Sequence, residues 1–120
     1  MSVTERNNRI TAFPDWVTLL PEVDVDFPGA KGYLLSGVHG QLVMWDFATG
    51  GSVPAHQHGP QLGVVLAGSV LLTREGNTVH YGAGESFSLE DREWHGARID
   101  PGTMVLEIFA ESDRHRARAV

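Results

Sequence analysis

The stretch that decides the fold is His56-Gln57-His58-Gly59-Pro60-Gln61, and a further histidine, His95, follows later in the chain. Two histidines at positions i and i+2 of an extended strand point to the same face. Their imidazoles can therefore converge on one ion, and Gln61 and His95 can complete a pocket of neutral ligands. Imidazole nitrogen with an oxygen donor suits Zn, Fe, Mn, Ni or Cu better than calcium or magnesium. The sequence thus predicts a transition-metal site.

The composition is that of one globular domain. The chain has 120 residues, of which 42% are hydrophobic and 20% charged, and its formal net charge is -6. An acidic chain without a basic stripe argues against a nucleic-acid surface. No apolar run is long enough for a membrane span, and the first residues lack the apolar core of a signal peptide. We therefore expect a cytoplasmic protein whose partner is a small molecule.

The absence of cysteine from the chain narrows the chemistry further. It excludes disulfides, thiolate metal ligands and cysteine nucleophiles, so that histidine, carboxylate and amide oxygen remain as ligands.

Fourteen glycines and six prolines divide the chain into short apolar runs, which predicts an all-β fold with little helix. A short helical turn is expected at Asp15–Leu20, between two prolines. A barrel is expected over residues 30–110, with a mobile end at residues 1–9 and a solvated basic tail at Arg114–Val120. The predicted strands are Gly32–Ser36, Gln41–Ala48, Ser52–His58, Gly63–Leu66, Ser69–Arg74, Asn77–Tyr81, Ser86–Leu89, Gly96–Ile99 and Met104–Ala110.

The glycines around the two histidines give the stretch a family likeness. Gly50, His56, His58 and Gly68 stand at the positions of the first cupin motif, G-x5-H-x-H-x3-4-E-x6-G, with Gln61 in place of the glutamate. The spacing between His58 and Gln61 is shorter than in the motif. The chain resembles a single-domain, RmlC-like cupin from about residue 32 to residue 109.

The second cupin motif, G-x5-P-x-G-x2-H-x3-N, is matched in part. Gly84 and His95 agree with it, whereas Glu90, Arg92 and Ile99 replace the proline, the second glycine and the asparagine. Because of these departures, the motif does not predict the conformation of the loop before His95.

The resemblance implies a double-stranded β-helix, the cupin jelly-roll barrel, with one divalent metal inside. The metal would be held by the residues that match the motif positions: His56, His58, Gln61 and His95. Mn, Fe, Ni and Zn are all compatible, with Cu less favoured. The resemblance also implies a homodimer.

Outside the motifs, Glu107 is a candidate general base because a carboxylate interrupts the apolar run 104–109. Alternation sends Glu107 to the face opposite Leu106 and Ile108, and which face points inward is left open. Trp94, Trp45 and Tyr33 are candidate substrate-binding aromatics. We expect the remaining polar candidates to lie on the surface: His39, His80, Arg98 and His115.

Neutral ligands suggest the reaction class. Three imidazoles and an amide would leave a divalent ion its full charge, whereas glutamate would reduce it by one. Such an ion favours Lewis-acid chemistry, so the leading hypothesis is a lyase or isomerase acting on a small polar substrate. A mononuclear dioxygenase and a non-catalytic ligand-binding or sensor module are the alternatives.

Overall fold

The computed structural model describes Val3 and residues 10–120, and the regular secondary structure within them is almost entirely antiparallel strand. The predicted all-β class is confirmed, and every predicted strand is present. The elements are α1 (Asp15–Thr18), β1 (Ala30–Gly37), β2 (Gly40–Phe47), β3 (Gly51–His56), β4 (Gln61–Ala67), β5 (Ser69–Arg74), β6 (Asn77–Gly82), β7 (Ser86–Leu89), β8 (His95–Ile99) and β9 (Thr103–Phe109).

The strands form two sheets that enclose a core. The larger sheet has the order β1-β2-β9-β4-β7, and the smaller has the order β3-β8-β5-β6. Alternate residues of β2 point inward and are buried, namely Val43, Trp45 and Phe47. In β9, Val105 and Phe109 do the same. Glu107 lies between them on the same face, so the structure settles which side of β9 points inward.

The outer face of the larger sheet is partly covered by α1. Val17 of this helix packs against Tyr33 and Met44, which form a cluster separate from the main core. The helix is shorter than predicted and ends at Thr18. Pro21 follows closely and disfavours helical backbone at the residue before it, which explains the early end.

Positive φ angles explain glycines at several turns, of which two bear on the site and on the predicted hairpin. Gly50 has φ +64 and leads into β3, and a Cβ there would lie 2.4 Å from the carbonyl oxygen of Ile99. Gly76 has φ +78 and lies with Glu75 (φ 49) in the tight turn between β5 and β6. The predicted hairpin over these strands is confirmed, and its turn has the positive φ angles that suit the strand twist.

The C-terminal residues are attached to the barrel, and Arg114 and His115 are half-buried, whereas residues 116–120 are exposed. Residues 110–118, here called the C-terminal strap, return across the barrel: Ala117 forms a bridge with Val23, and Arg118 N donates to Glu22 O at 2.7 Å. The sequence gives no sign of this path because the contacts come from distant residues. The expected mobile N-terminal end falls outside the described residues, apart from Val3. Within the described part, no helix is long and apolar enough to cross a membrane.

Candidate metal centre

Three histidines meet at one end of the barrel. His56 is the last residue of β3, His95 is the first of β8, and the two are paired across the strands. His58 lies just beyond β3, which ends two residues earlier than predicted. One ligand atom from each ring lies within 4.8 Å of the others. The predicted convergence of these histidines is confirmed.

Backbone carbonyls determine which ring nitrogen carries the proton in all three histidines. His56 Nδ1 contacts Pro54 O at 2.9 Å, His58 Nδ1 contacts Gly59 O at 2.8 Å, and His95 Nδ1 contacts the carbonyl of Glu93 at 2.9 Å. A carbonyl only accepts a hydrogen bond, so each Nδ1 must carry the proton. In the neutral ring the lone pair is then on Nε2, which is the arrangement that second-shell carbonyls impose on metal-binding histidines.

Burial keeps two of these rings neutral. His58 and His95 are buried, and desolvation lowers the pKa of both, against their carbonyl hydrogen bonds, which raise it. Nearby positive charge, from Arg114 and the neighbouring histidines, lowers the pKa further. Neutral imidazole is the ligating form, so the lowered pKa values of His58 and His95 favour metal binding by these two rings near neutral pH.

Gln61 and Glu107 lie beside the histidines and are linked to one another. Gln61 Nε2 donates a hydrogen bond to Glu107 Oε2. This leaves Oε1 as the Gln61 atom that can meet an ion, and coordination by Gln61 stays a prediction. A glutamate at this position would place a second carboxylate against Glu107. The glutamine avoids this contact between two carboxyl groups.

The carboxyl group of Glu107 has a strongly raised pKa. Burial raises the pKa of its carboxyl to about 7. Trp45 and Gln61, which donate toward the carboxyl, and the charge of Arg114 lower the pKa only in part. A carboxyl with a pKa near neutrality can both take and return a proton.

These groups share one cavity of about 190 Å³. Both sheets supply its apolar walls, and the polar groups gather near the histidines. Two of the polar groups come from the C-terminal strap and were missed by sequence reasoning, which placed His115 in a solvated tail. The lining includes Trp45, Phe47, His56, His58, Gln61, Val70, Leu72, Phe87, Leu89, His95, Val105, Glu107, Phe109, Arg114 and His115.

Arg114 and His115 enter the cavity by packing on aromatic rings. The Arg114 guanidinium lies 5.8 Å from the centroid of the Phe109 ring, and its Nε is buried without a hydrogen bond to any of the described residues. The His115 ring meets Trp45 edge to face, with centroids 5.7 Å apart. Burial and the charge of Arg114 lower the pKa of His115 to about 4. The cavity thus holds a positive group and a neutral imidazole beside the candidate metal site.

The three aromatic candidates have different positions. Trp45 lines the cavity, and its contact with a substrate stays a prediction. Tyr33 packs on α1 because alternation along β1 turns it outward while Leu34 points to the core. Trp94 is 58% exposed and borders a groove on the outer side of the smaller sheet. It precedes His95, and neighbouring residues of an extended chain face opposite ways.

The altered second motif still supports His95. Arg92, at the motif's second glycine position, adopts φ +61, a left-handed conformation. Its backbone N–H donates to the carbonyl of His58 at 2.8 Å. Glu93 Oε1 accepts from Glu90 N at 2.9 Å. The loop is therefore held to the metal site by its backbone, without the motif's proline or glycine.

Comparison with known proteins agrees with this geometry. The cupin domain model, Cupin_2, matches residues 43–110, which is more than half of the chain. The chain belongs to the cupin family, as its motifs predicted, and its barrel is the cupin jelly roll.

Solved structures show the same fold. KdgF from Halomonas sp. is 24% identical, with a TM-score of 0.66 over 76% of this chain and 87% of that chain. An RmlC-like cupin from Shewanella frigidimarina NCIMB 400 is 24% identical, with a TM-score of 0.68 over 78% of this chain and 86% of that chain. A cupin superfamily protein from Desulfitobacterium hafniense DCB-2 is 15% identical, with a TM-score of 0.65 over 86% and 97% of the two chains. At these identities the likeness concerns the fold alone.

Proposed function

We propose that this cupin is a metal-dependent lyase or isomerase that acts on a small organic acid. The observation that carries the proposal is the convergence of three histidines whose Nδ1 atoms are all committed to carbonyls, in a cavity that also holds Glu107 and Arg114. The site thus combines neutral metal ligands, a carboxyl of shifted pKa and a cation. Each of these has a distinct part in proton transfer next to a carboxylate.

A divalent transition metal bound here would act as a Lewis acid that stabilises negative charge on substrate oxygen. His56, His58 and His95 would hold it through Nε2, and Gln61 through Oε1. All four ligands are neutral, so the ion keeps its full charge. This favours Lewis-acid work over oxygen activation, in which a higher oxidation state must be reached.

Glu107 is the candidate general base. Its pKa of about 7 leaves a large ionised fraction at neutral pH and still allows the carboxyl to return the proton. Gln61 orients it by donating to Oε2, which leaves the other carboxylate oxygen for the substrate.

Arg114 is the candidate binding group for the acid. Its guanidinium has a free donor among the residues that the structure describes, because Nε is buried there without a hydrogen bond. A guanidinium binds a carboxylate through two parallel hydrogen bonds. The cavity of about 190 Å³ limits the substrate to a few carbon atoms in its buried part. The net charge of -6 would repel an anion at long range, so an anionic substrate would be attracted locally, by the metal and by Arg114.

The proposal is tested by metal analysis combined with a panel of small hydroxy and oxo acids, each assayed with an oxygen electrode. We expect turnover of an acid by metal-loaded protein with no oxygen consumed. Arg114→Gln should raise KM for that acid by about tenfold or more, because it removes a charge-assisted pair of hydrogen bonds to the carboxylate. Arg114→Lys is the charge-matched control. Oxygen uptake in step with turnover would favour a dioxygenase, and binding without turnover a non-catalytic module.

We further propose a homodimer that is formed through the outer face of the larger sheet. Leu35 pairs with Leu42, Leu42 with Ile108, and Ile108 with Leu62, so that an apolar row crosses four strands. Leu35, Leu62 and Ile108 are exposed. An exposed apolar row of this kind favours an interface with a second copy, and an isologous dimer buries it on both chains.

Light scattering tests the dimer. The wild-type chain should have twice the mass of one chain, and Ile108→Lys should shift it to the monomer because two charges would be buried at the shared face. Val79→Lys, at an exposed apolar position of the smaller sheet, should leave the dimer intact. A wild-type monomer, or a dimer lost only in Val79→Lys, would exclude this interface.

A further inference from the structure

The buried side chain of Gln41 holds the C-terminal strap by its middle. Gln41 Oε1 accepts from His115 N at 2.8 Å, and Nε2 donates to His115 O at 2.7 Å. One amide side chain thus pairs with both polar groups of a single peptide residue, as a neighbouring strand would. Gln41 lies at the start of β2 with its side chain turned inward, 5% exposed. A buried glutamine is stable there only while these hydrogen bonds are made.

The Gln41 clamp lies between two other attachments of the strap. On one side, Ala110 N donates to Pro60 O at 3.0 Å and Gly59 N donates to Glu111 Oε1 at 2.6 Å. On the other side, Asp24 N donates to Arg116 O at 2.9 Å, and the bridge of Ala117 follows. Loss of the clamp would therefore leave the strap attached at both ends. Its effect would fall on residues 112–115, the part that enters the cavity.

The cavity depends on this part for its cation. Arg114 is next to the clamped residue, and its guanidinium lies over the face of the Phe109 ring. Among the described residues it forms no ion pair with an acidic side chain. A ring-face contact at this distance contributes little free energy and fixes direction loosely. The backbone position that Gln41 imposes on His115 thus decides where the Arg114 side chain begins.

We propose that Gln41 is a positioning residue, which acts through the backbone of His115 to keep Arg114 and His115 in the cavity. This rests on the proposed function, in which Arg114 binds the carboxylate of the substrate. Gln41 itself does not touch the substrate. Its substitution should weaken the binding of acids while leaving the histidine cluster, and hence the metal content, unchanged.

Ser36 provides a matched control. Gln41 Nε2 also donates to Ser36 Oγ at 2.9 Å, so Ser36→Ala removes a hydrogen bond from the same amide without touching the clamp. Gln41→Leu removes both clamp bonds, and Gln41→Glu keeps the acceptor for His115 N but loses the donor to His115 O. The series separates the clamp from a general effect of altering this corner of the sheet.

The position of the strap is measured through Trp45. In a Trp16→Phe/Trp94→Phe background Trp45 is the single tryptophan, and it is buried against His115. Quenching by acrylamide should be weak in the wild-type background and in Ser36→Ala, several times stronger in Gln41→Leu, and intermediate in Gln41→Glu. Equal quenching in all four proteins would overturn the inference, as would an increase in Ser36→Ala equal to that in Gln41→Leu.

The consequence for the site is measured on zinc-loaded protein with pyruvate as the probe and its uncharged methyl ester as the comparison. Pyruvate affinity should fall about tenfold in Gln41→Leu, which corresponds to the net loss of one or two hydrogen bonds, with zinc content and methyl pyruvate affinity unchanged. Undiminished pyruvate binding in Gln41→Leu would contradict the positioning role. If the wild-type protein does not bind pyruvate, the proposed acid substrate class is wrong. The Trp45 measurement alone then decides whether Gln41 holds the strap.

Discussion

The His56→Ala/His58→Ala variant should lose its bound metal. The wild-type protein, purified without chelator, is expected to carry about one divalent transition metal per chain, and the variant less than a tenth of that. The reason is that His95 would be the single imidazole left in the cluster, and one ligand beside a neutral amide cannot hold the ion. Elemental analysis measures the content, and thermal unfolding with and without added metal measures the linked stability.

Added metal should also raise the thermal stability of the wild-type protein by a defined amount. Metal at a hundred times its dissociation constant should stabilise the wild-type fold by about 2.7 kcal/mol and should leave the double variant unchanged. His39→Ala/His80→Ala is the matched control, since both histidines are exposed and lie outside the cluster. A double variant that binds metal as tightly as the wild type would remove the basis of the site.

Much of this site could be predicted from the sequence because it depends on local spacing. The two histidines of the H-x-H stretch meet His95 because β3 and β8 are paired with His56 opposite His95. Glycines at the turns of the family motif mark where the strands end, which is why the strand positions were recovered. A period of two also assigned Glu107 and Leu106 to opposite faces of β9.

The missed residues depend on contacts between distant parts of the chain. Arg114 and His115 lie in a polar, basic segment whose local pattern is that of a solvated tail. They reach the cavity because Gln41, in β2, pairs with His115, and no periodicity in the sequence encodes that pairing. Tyr33 was included for its ring alone, although its neighbour Leu34 is the residue of β1 that points to the core.

Glu107→Gln should lower kcat by about 10²- to 10⁴-fold, the usual contribution of a positioned general base, with metal content unchanged. The glutamine can still accept the hydrogen bond from Gln61, so the geometry of the cavity is kept and the proton acceptor is lost. The measurement is turnover of the acid that the substrate panel identifies, together with elemental analysis. Full turnover by Glu107→Gln would end the general-base assignment, whatever the metal result.

The same variant should change the pH dependence of stability in metal-free protein. Burial raises the pKa of Glu107 from 4.5 to about 7 in the fold, so the folded state holds this proton more tightly than the unfolded chain does. The wild-type free energy of unfolding therefore falls as pH rises from about 4.5 to above 7, by up to about 3 kcal/mol from this group. Glu107→Gln lacks that loss. The free energy of unfolding of the variant minus that of the wild type should therefore be larger at pH 8 than at pH 5.

Glu75→Gln, at an exposed carboxyl of the β5–β6 turn, is the control for that measurement and should follow the wild-type pH curve. Urea unfolding at pH 5 and pH 8 gives the differences. A Glu107→Gln curve parallel to the wild type would mean that the carboxyl ionises as it does in water. Glu107 would then be charged at neutral pH and a weaker base than proposed, better suited to electrostatic stabilisation of the metal than to taking a proton from the substrate.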